Sequence, residues 1–245
     1  RSGYTTNTWS GILSPSMPYV RVNPATGEFT QFPNPCPNRK SVYNLSDLDW
    51  VMKQFADDFV LKLVLAQNNL RAGTPEKSYA AIQKLAREHG MDVHVDSPKS
   101  LQRTSTALDT AAGLFATMRI VELVEQFAAQ HGKRVLYVLS FSPNSVAQTL
   151  QSGKRFDQSF VDFMKEKGLP FVDLMEAHRS DFAQFKITPA QYVKRYWIGH
   201  YNPSGNHFHA FSIKDKLVEM LNPKPLSYAT DRQDYEDPAT MRSGN

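Results

Sequence analysis

The segment FVLKLVLAQNN, residues 59–69, is the stretch on which the fold prediction depends. Its apolar run is as long as a strand and is interrupted only by Lys62, which is typical of a buried strand in a parallel sheet. Polar amides follow directly at 67–69. Because ligands of an open α/β sheet bind beyond the carboxyl ends of its strands, these amides are candidate site residues.

Strand-like and helical segments alternate along the rest of the chain. The segments RVLYVLSFS (134–142) and LPFVDL (169–174) have the composition of strands. Helical patterns occur at 75–90, 106–131, 156–168 and from about Asn202 to Leu221. This alternation predicts a three-layer α/β sandwich with a mostly parallel sheet, of the flavodoxin-like type.

The sequence divides into three regions. Residues 1–45 are predicted to form an N-terminal extension, residues 46–225 the α/β domain, and residues 226–245 a polar tail. Within the extension, apolar and polar residues alternate over 20–32 around Asn-Pro-Ala-Thr-Gly, which predicts a β-hairpin. Ser46, with Asp49 three residues on, is predicted to cap the first helix.

Composition excludes several classes of protein. With 41% hydrophobic and 21% charged residues, the 245-residue chain is expected to fold. Its net charge of +4 is spread without a Lys/Arg-rich run, which argues against nucleic-acid binding. No apolar run approaches the ~20 residues of a membrane span. The single cysteine, Cys36, excludes an intrachain disulfide, and we expect no cofactor.

The segment KRYWIGHYNPSGNHFHAF, 194–211, contains a cluster of histidines. His207 and His209 lie about 200° apart on the predicted helix, so they do not face one metal ion, and no metal site is expected. Packing is the ordinary explanation for both. His200 instead follows Gly199 in a loop before the helix, where an imidazole can act as a general base.

The stretch HYNPSGNHFHA resembles the last conserved block of the SGNH/GDSL hydrolases. The residues that match the block are His200, Asn202, Gly205, Asn206 and Ala210. The resemblance implies that His200 is the base that activates a serine. LVLAQNN resembles the strand of this family that ends in Gly-x-Asn-Asp, with Asn68 and Asn69 in the last two places. It implies that Asn68 donates to an oxyanion hole and that Asn69 contacts the substrate. The resemblance covers residues 59–222.

The sequence does not identify the nucleophile of such an enzyme. The chain has no Gly-Asp-Ser, and RSGYTTN reads like the residues that follow this motif, so the serine can lie upstream of Arg1. Within the chain, Ser10 is the candidate by position. Ser140 and Ser142, at the end of a predicted strand, are the other candidates.

The acid of the family's triad is also missing. Trp197 and Ile198 occupy the positions before His200 where these hydrolases carry an Asp. A backbone carbonyl can replace that Asp in part, or Asp173 or Asp181 can replace it through space. The loss of a triad carboxylate can cost ~10⁴ in rate.

The resemblance implies an ester hydrolase of the Ser-His type. Its substrate would be a small-molecule or carbohydrate ester, with a carbohydrate O-acetyl group as the candidate. Trp197 and Tyr201 could stack on a sugar, although such aromatics are more often packing residues. The alternative is a catalytically inactive SGNH-like binding module or subunit, which the missing Gly-Asp-Ser and the missing Asp favour.

Overall fold

The computed structural model describes residues 18–71 and 73–224, with only the backbone given for 69–71. Ser10 and the predicted tail at 226–245 lie outside the described residues. The chain forms two compact units. The first contains the described residues up to Val135 together with Phe156–Gly168, and the second contains Leu136–Arg155 and the described residues from Leu169 onward.

Helices and strands follow each other in an order that departs from the prediction. The strands are β1 (Tyr19–Asn23), β2 (Glu28–Phe32), β3 (Tyr137–Leu139) and β4 (Phe171–Asp173). The helices are α1 (Leu48–Gln54), α2 (Phe59–Arg71), α3 (Pro75–Glu88), α4 (Pro98–Gln130), α5 (Pro143–Ser152), α6 (Gln158–Glu166), α7 (Leu174–Phe182), α8 (Pro189–Tyr196) and α9 (Pro203–Leu221).

The predicted three-layer α/β sandwich is wrong. Of the part that the structure describes, 62% is helical and only 9% is strand, which is too little for a central sheet. β1 and β2 form one two-stranded sheet, and β3 and β4 form another. The second pair is parallel, with Leu139 opposite Asp173, so two of the predicted strands exist but are only three residues long.

The largest error concerns the segment 59–69, which is helix α2 and not a strand. Phe59, Leu63 and Ala66 are buried, whereas Val60 and Val64 are each 44% exposed. Burial at i, i+4 and i+7 is the period of a helix, and a strand would bury every second residue. The continuous apolar run hid this period, because the solvent-facing side of α2 also carries valines.

The first unit has its core between this helix and its neighbours. Ile82 and Leu85 of α3 and Leu101 and Leu108 of α4 are buried in one cluster with the apolar face of α2. α4 begins at Pro98, earlier than predicted, because Ser97 and Ser100 form a capping box.

Two predictions near the N-terminal side of this unit had different outcomes. The predicted hairpin is confirmed: β1 and β2 pair antiparallel, with Tyr19 opposite Phe32. The predicted cap at Ser46 is wrong by one residue. Asp47 caps α1, because its carboxylate accepts from the backbone N–H groups of Asp49 and Trp50.

The second unit is built around the parallel pair and an aromatic cluster. β3 leads into α5 and β4 leads into α7, with Ser142 and Asp173 as the respective N-caps. Its core contains Val146, Met175, Tyr192 and Trp197. Within 18–71 and 73–224, no helix is both long and apolar enough to cross a membrane.

Candidate functional site

A short loop between α8 and α9 carries His200. Trp197 and Tyr201 form an antiparallel bridge across this loop, and the backbone N–H of Ile198 donates to the carbonyl of His200 at 2.8 Å. Gly199 has φ of 101°, a conformation that favours glycine. The resulting tight turn leaves the His200 side chain exposed.

The end of the loop is fixed by the start of α9. Asn202 caps this helix, because its side chain accepts from the N–H of Gly205 at 2.9 Å. The side-chain amide of Asn202 also donates to the carbonyl of Arg195 at 2.8 Å. These bonds join the last turn of α8 to the first turn of α9 and so set the geometry of the loop that carries His200.

The ring of His200 is held in one tautomer. Its Nδ1 lies 2.8 Å from the backbone carbonyl oxygen of Tyr201. Because a carbonyl only accepts, Nδ1 carries the proton and Nε2 is left with a free lone pair. A backbone carbonyl is therefore the partner of Nδ1 in the His200 ring, which is one of the arrangements considered for the missing acid.

The two aspartates considered as substitutes for the missing acid have other partners. Asp173 forms an ion pair with the buried guanidinium of Arg155 and accepts from the N–H of Met175. Asp181 accepts from the hydroxyls of Tyr192 and Tyr196 at 2.9 and 2.7 Å. Asp181 nevertheless belongs to a second site that the sequence did not reveal.

This second site is a chain of hydrogen bonds around a buried histidine, which we call the His178 network. Nδ1 of His178 lies 3.0 Å from the hydroxyl of Tyr192, and Nε2 lies 3.1 Å from the hydroxyl of Tyr201. The network thus runs from Tyr201 through His178 and Tyr192 to Asp181.

Burial sets the protonation states in the His178 network. His178 is completely buried, and this burial lowers its pKa to about 4, although the nearby Asp181 carboxylate acts in the opposite direction. Burial also raises the pKa of Tyr201 to about 12 and raises the pKa of Tyr192. At neutral pH the imidazole is therefore uncharged and both phenols keep their protons.

Tyr201 connects the His178 network with the His200 loop. Its backbone carbonyl accepts from His200, and its phenol hydrogen-bonds to His178. Ser140 is exposed directly after β3, at the carboxyl end of the parallel pair. Two histidines are thus linked through one residue in the second unit.

The aromatic residues predicted as sugar walls are packed into the second unit. Trp197 is only 8% exposed, and its ring stacks on Tyr201 at 4.6 Å and lies 5.0 Å from the His178 ring. Tyr201 is partly buried and its hydroxyl is used by His178. Trp197 is therefore a packing residue of the second unit.

The predicted oxyanion donor lies in the other unit. Asn68 is exposed on helix α2 of the first unit, so it does not follow a strand as expected. Asn69 belongs to the same helix, and its side chain lies outside the described residues. The prediction of Asn68 depended on reading 59–69 as a strand, which the structure overturns.

The remaining histidines of the cluster are packing residues of α9. The His207 ring contacts Phe211 with centroids 4.3 Å apart, and the His209 ring lies 5.7 Å from Tyr201. Over the described ranges, no group of three or more His, Cys, Asp or Glu side chains is placed to hold a metal ion.

No protein-family model matches the chain, and neither a curated protein nor a solved structure does. The resemblance of HYNPSGNHFHA to the SGNH/GDSL hydrolases therefore stays a prediction from the residues. A function is therefore argued from the histidines of the second unit and their hydrogen bonds.

Proposed function

We propose that this protein hydrolyses carboxylic esters by a Ser-His type mechanism in which His200 is a general base. The observation that carries the proposal is the 2.8 Å bond from Nδ1 of His200 to the carbonyl of Tyr201. It fixes the tautomer that a base needs, with the lone pair on Nε2, and the exposed loop leaves Nε2 open to a substrate or a water.

A carbonyl in place of the triad carboxylate has a chemical consequence. It orients the imidazole but stabilises the imidazolium less than an ionised Asp does. We therefore expect slower turnover than in a complete triad, and activated esters with good leaving groups to react best. An O-acetyl group on a carbohydrate remains the substrate class that the resemblance suggests, and an exposed base suits an ester of a large alcohol.

The test compares two histidine substitutions. His200→Gln should lower kcat for 4-nitrophenyl acetate, and acetate release from an acetylated oligosaccharide, by about 100-fold or more, the usual contribution of a general base. His207→Gln is the matched control, because His207 is an exposed histidine on the adjacent helix α9. Equal turnover in the two variants would remove His200 from the mechanism.

A non-catalytic binding module is the second candidate. The observation that favours it is the position of Asn68, which is exposed on helix α2 of the first unit and so leaves the predicted oxyanion donor unaccounted for. This candidate predicts no ester hydrolysis by the wild-type protein. Calorimetry would then show binding of the acetylated oligosaccharide with the same Kd in the wild type and in His200→Gln.

A further inference from the structure

We infer that a small cavity in the first unit binds a free basic amino acid such as L-lysine. The α-carboxylate of this ligand lies at Arg21, and its two ammonium groups lie at the carboxylates that line the same cavity. The cavity belongs to the first unit alone. The inference therefore goes beyond the proposed ester hydrolysis and does not depend on it.

The cavity lies where three elements of the first unit meet. It has a volume of about 240 Å³ and is lined by residues of the β1–β2 hairpin, of the start of α2 and of the end of α3. The side-chain amide of Asn23 donates to the carbonyl of Glu88 at 3.1 Å and so ties the hairpin to α3. At ~30 Å³ per water molecule in the liquid, this volume equals that of about eight waters, which suits a ligand of about ten non-hydrogen atoms.

Arg21 carries the observation that indicates a ligand. Its Nε atom is buried, and among the residues that the structure describes it has no hydrogen-bond partner. The guanidinium carbon lies over the ring of Phe32, 4.8 Å from the ring centroid. A buried N–H without a partner destabilises the fold unless a bound group accepts from it. A carboxylate suits a guanidinium well, because its two oxygens match the parallel N–H groups.

A carboxylate of the hairpin lies close to Arg21. In the antiparallel pair, Arg21 is opposite Thr30 and Asn23 is opposite Glu28. Arg21 and Glu28 are therefore diagonal neighbours on one face of the hairpin, at roughly 7–8 Å by ordinary strand geometry, and both line the cavity. Within 18–71 and 73–224, no ion pair joins these two side chains. An α-amino acid carries a carboxylate and an ammonium on one carbon atom, so it can bridge such a cation and anion.

The charges around the cavity favour a ligand with a net positive charge. Two cations and three carboxylates line it, namely Arg21, Lys62, Glu28, Asp57 and Glu88. These groups leave an excess of one negative charge. An amino acid with an uncharged side chain does not neutralise this excess, and an acidic amino acid increases it. A basic amino acid carries one net positive charge at neutral pH and balances it.

The second ammonium group of the ligand belongs at the mouth of the cavity. Asp57 and Glu88 are exposed, whereas Glu28 is partly buried. Glu88 is the last residue of α3, and the C-terminal end of a helix carries a partial negative charge that favours a cation. The buried side chains of Phe59 and Leu85 form an apolar wall, on which the methylene groups of lysine can pack.

Two neighbouring groups are compatible with this arrangement. Lys84 pairs with Glu88 at 3.9 Å, but its side chain is 79% exposed, so the pair is weak and a ligand ammonium can replace Lys84. His89 also lines the cavity, and its Nδ1 lies 2.9 Å from the carbonyl oxygen of Leu85. Because a carbonyl only accepts, Nδ1 carries the proton, and Nε2 of the neutral ring is a further acceptor for an ammonium group.

Isothermal titration calorimetry with a set of related ligands tests each contact. L-Norleucine lacks the second ammonium, 1,5-diaminopentane lacks the carboxylate, and Nα-acetyl-L-lysine lacks the charged α-ammonium. Each should bind about tenfold more weakly than L-lysine or worse, because each loses one hydrogen bond between charged groups. L-Glutamate should not bind, since it adds negative charge to the cavity. Nα-Acetyl-L-lysine also represents the C-terminal lysine of a peptide, so it separates that source from the free amino acid.

Two variants place the ligand in the cavity. Arg21→Met removes the guanidinium and should raise the Kd of L-lysine about tenfold or more, but leave that of 1,5-diaminopentane unchanged. Glu28→Gln should weaken L-lysine in the same way and spare Nα-acetyl-L-lysine. The matched control is Arg87→Met, because Arg87 is an exposed arginine of α3 that is not among the residues lining this cavity. It should bind L-lysine like the wild type.

Thermal unfolding separates a binding role of Arg21 from a structural one. Because its Nε has no partner among the described residues, Arg21→Met should unfold near the wild-type temperature when no ligand is present. L-Lysine should raise the unfolding temperature of the wild type and of Arg87→Met, and should have little effect on Arg21→Met.

Three results would overturn the inference. The absence of binding by L-lysine at millimolar concentrations would remove the ligand class. Equal affinity for L-norleucine and L-lysine would show that the carboxylates at the mouth do not hold a second ammonium. Wild-type affinity for L-lysine in both Arg21→Met and Glu28→Gln would place the ligand elsewhere on the protein. Ester hydrolysis is measured separately, and none of these results bears on it.

Discussion

Acid should destabilise the second unit through His178. In the folded protein the pKa of His178 is lowered to about 4 from an ordinary 6.5, mainly by burial. Below pH 6.5 the unfolded chain binds a proton at this residue, whereas the folded chain does so only near pH 4. The folded state therefore loses stability as the pH falls from 6.5 to 4, and the loss stops below 4.

The magnitude follows from the difference between the two pKa values. A difference of 2.5 units (6.5 − 4) corresponds to about 3 kcal/mol in the free energy of unfolding. Protonation of His178 removes the lone pair on Nε2. The imidazolium can therefore no longer accept the hydrogen bond that the hydroxyl of Tyr201 donates.

The assay is urea unfolding at several pH values between 4 and 7.5, followed by circular dichroism. His178→Gln is the comparison, since glutamine can bond to both tyrosines but does not titrate. Other groups titrate equally in both proteins. The free energy of unfolding of the wild type minus that of the variant therefore reports the contribution of His178 alone. We expect this difference to fall by about 3 kcal/mol between pH 6.5 and 4. A difference that does not vary with pH would refute the argument that His178 is buried and neutral.

The remaining predictions concern helix α2 and the His200 loop. Leu63→Ala should cost about 2–4 kcal/mol in the free energy of unfolding, whereas Val64→Ala, on the exposed face, should change it by less than about 1 kcal/mol; equal effects would contradict the helical register. Asn202→Ala removes the cap of α9 and should cost about 1 kcal/mol, which thermal unfolding would show. Gly205→Ala places a methyl group against the backbone oxygen of Tyr196 and the ring of Tyr201. It should lower stability by about 1–3 kcal/mol and reduce turnover as well, and wild-type values for both would show that the loop tolerates displacement.

Local sequence signals predicted those elements that depend on local interactions. The hairpin of β1 and β2 has a turn at Asn23–Gly27 between alternating strands, and the start of α9 is set by Asn202 and Pro203 within one helical turn. These features need only neighbouring residues, so they could be read before the structure was known.

Features that depend on distant residues could not be read in the same way. The apolar run of α2 is compatible with both a strand and a helix. Only its packing on α3 and α4 determines that it is a helix. His178 is 14 residues from Tyr192 and 23 residues from Tyr201, and no spacing rule relates positions so far apart. His200, by contrast, lies in a short motif, so local sequence alone predicts it as a candidate.

The position of Gly205 against Tyr201 has a consequence for substrate binding. With no room even for a methyl group, the loop and the first turn of α9 are in close contact, and the bridge from Trp197 to Tyr201 closes the loop on its other side. The conformational entropy of these residues is therefore lost when the chain folds and not when a ligand arrives. If the proposed esterase activity holds, a preorganised loop of this kind lets the ester bind without the additional cost of ordering the backbone around it.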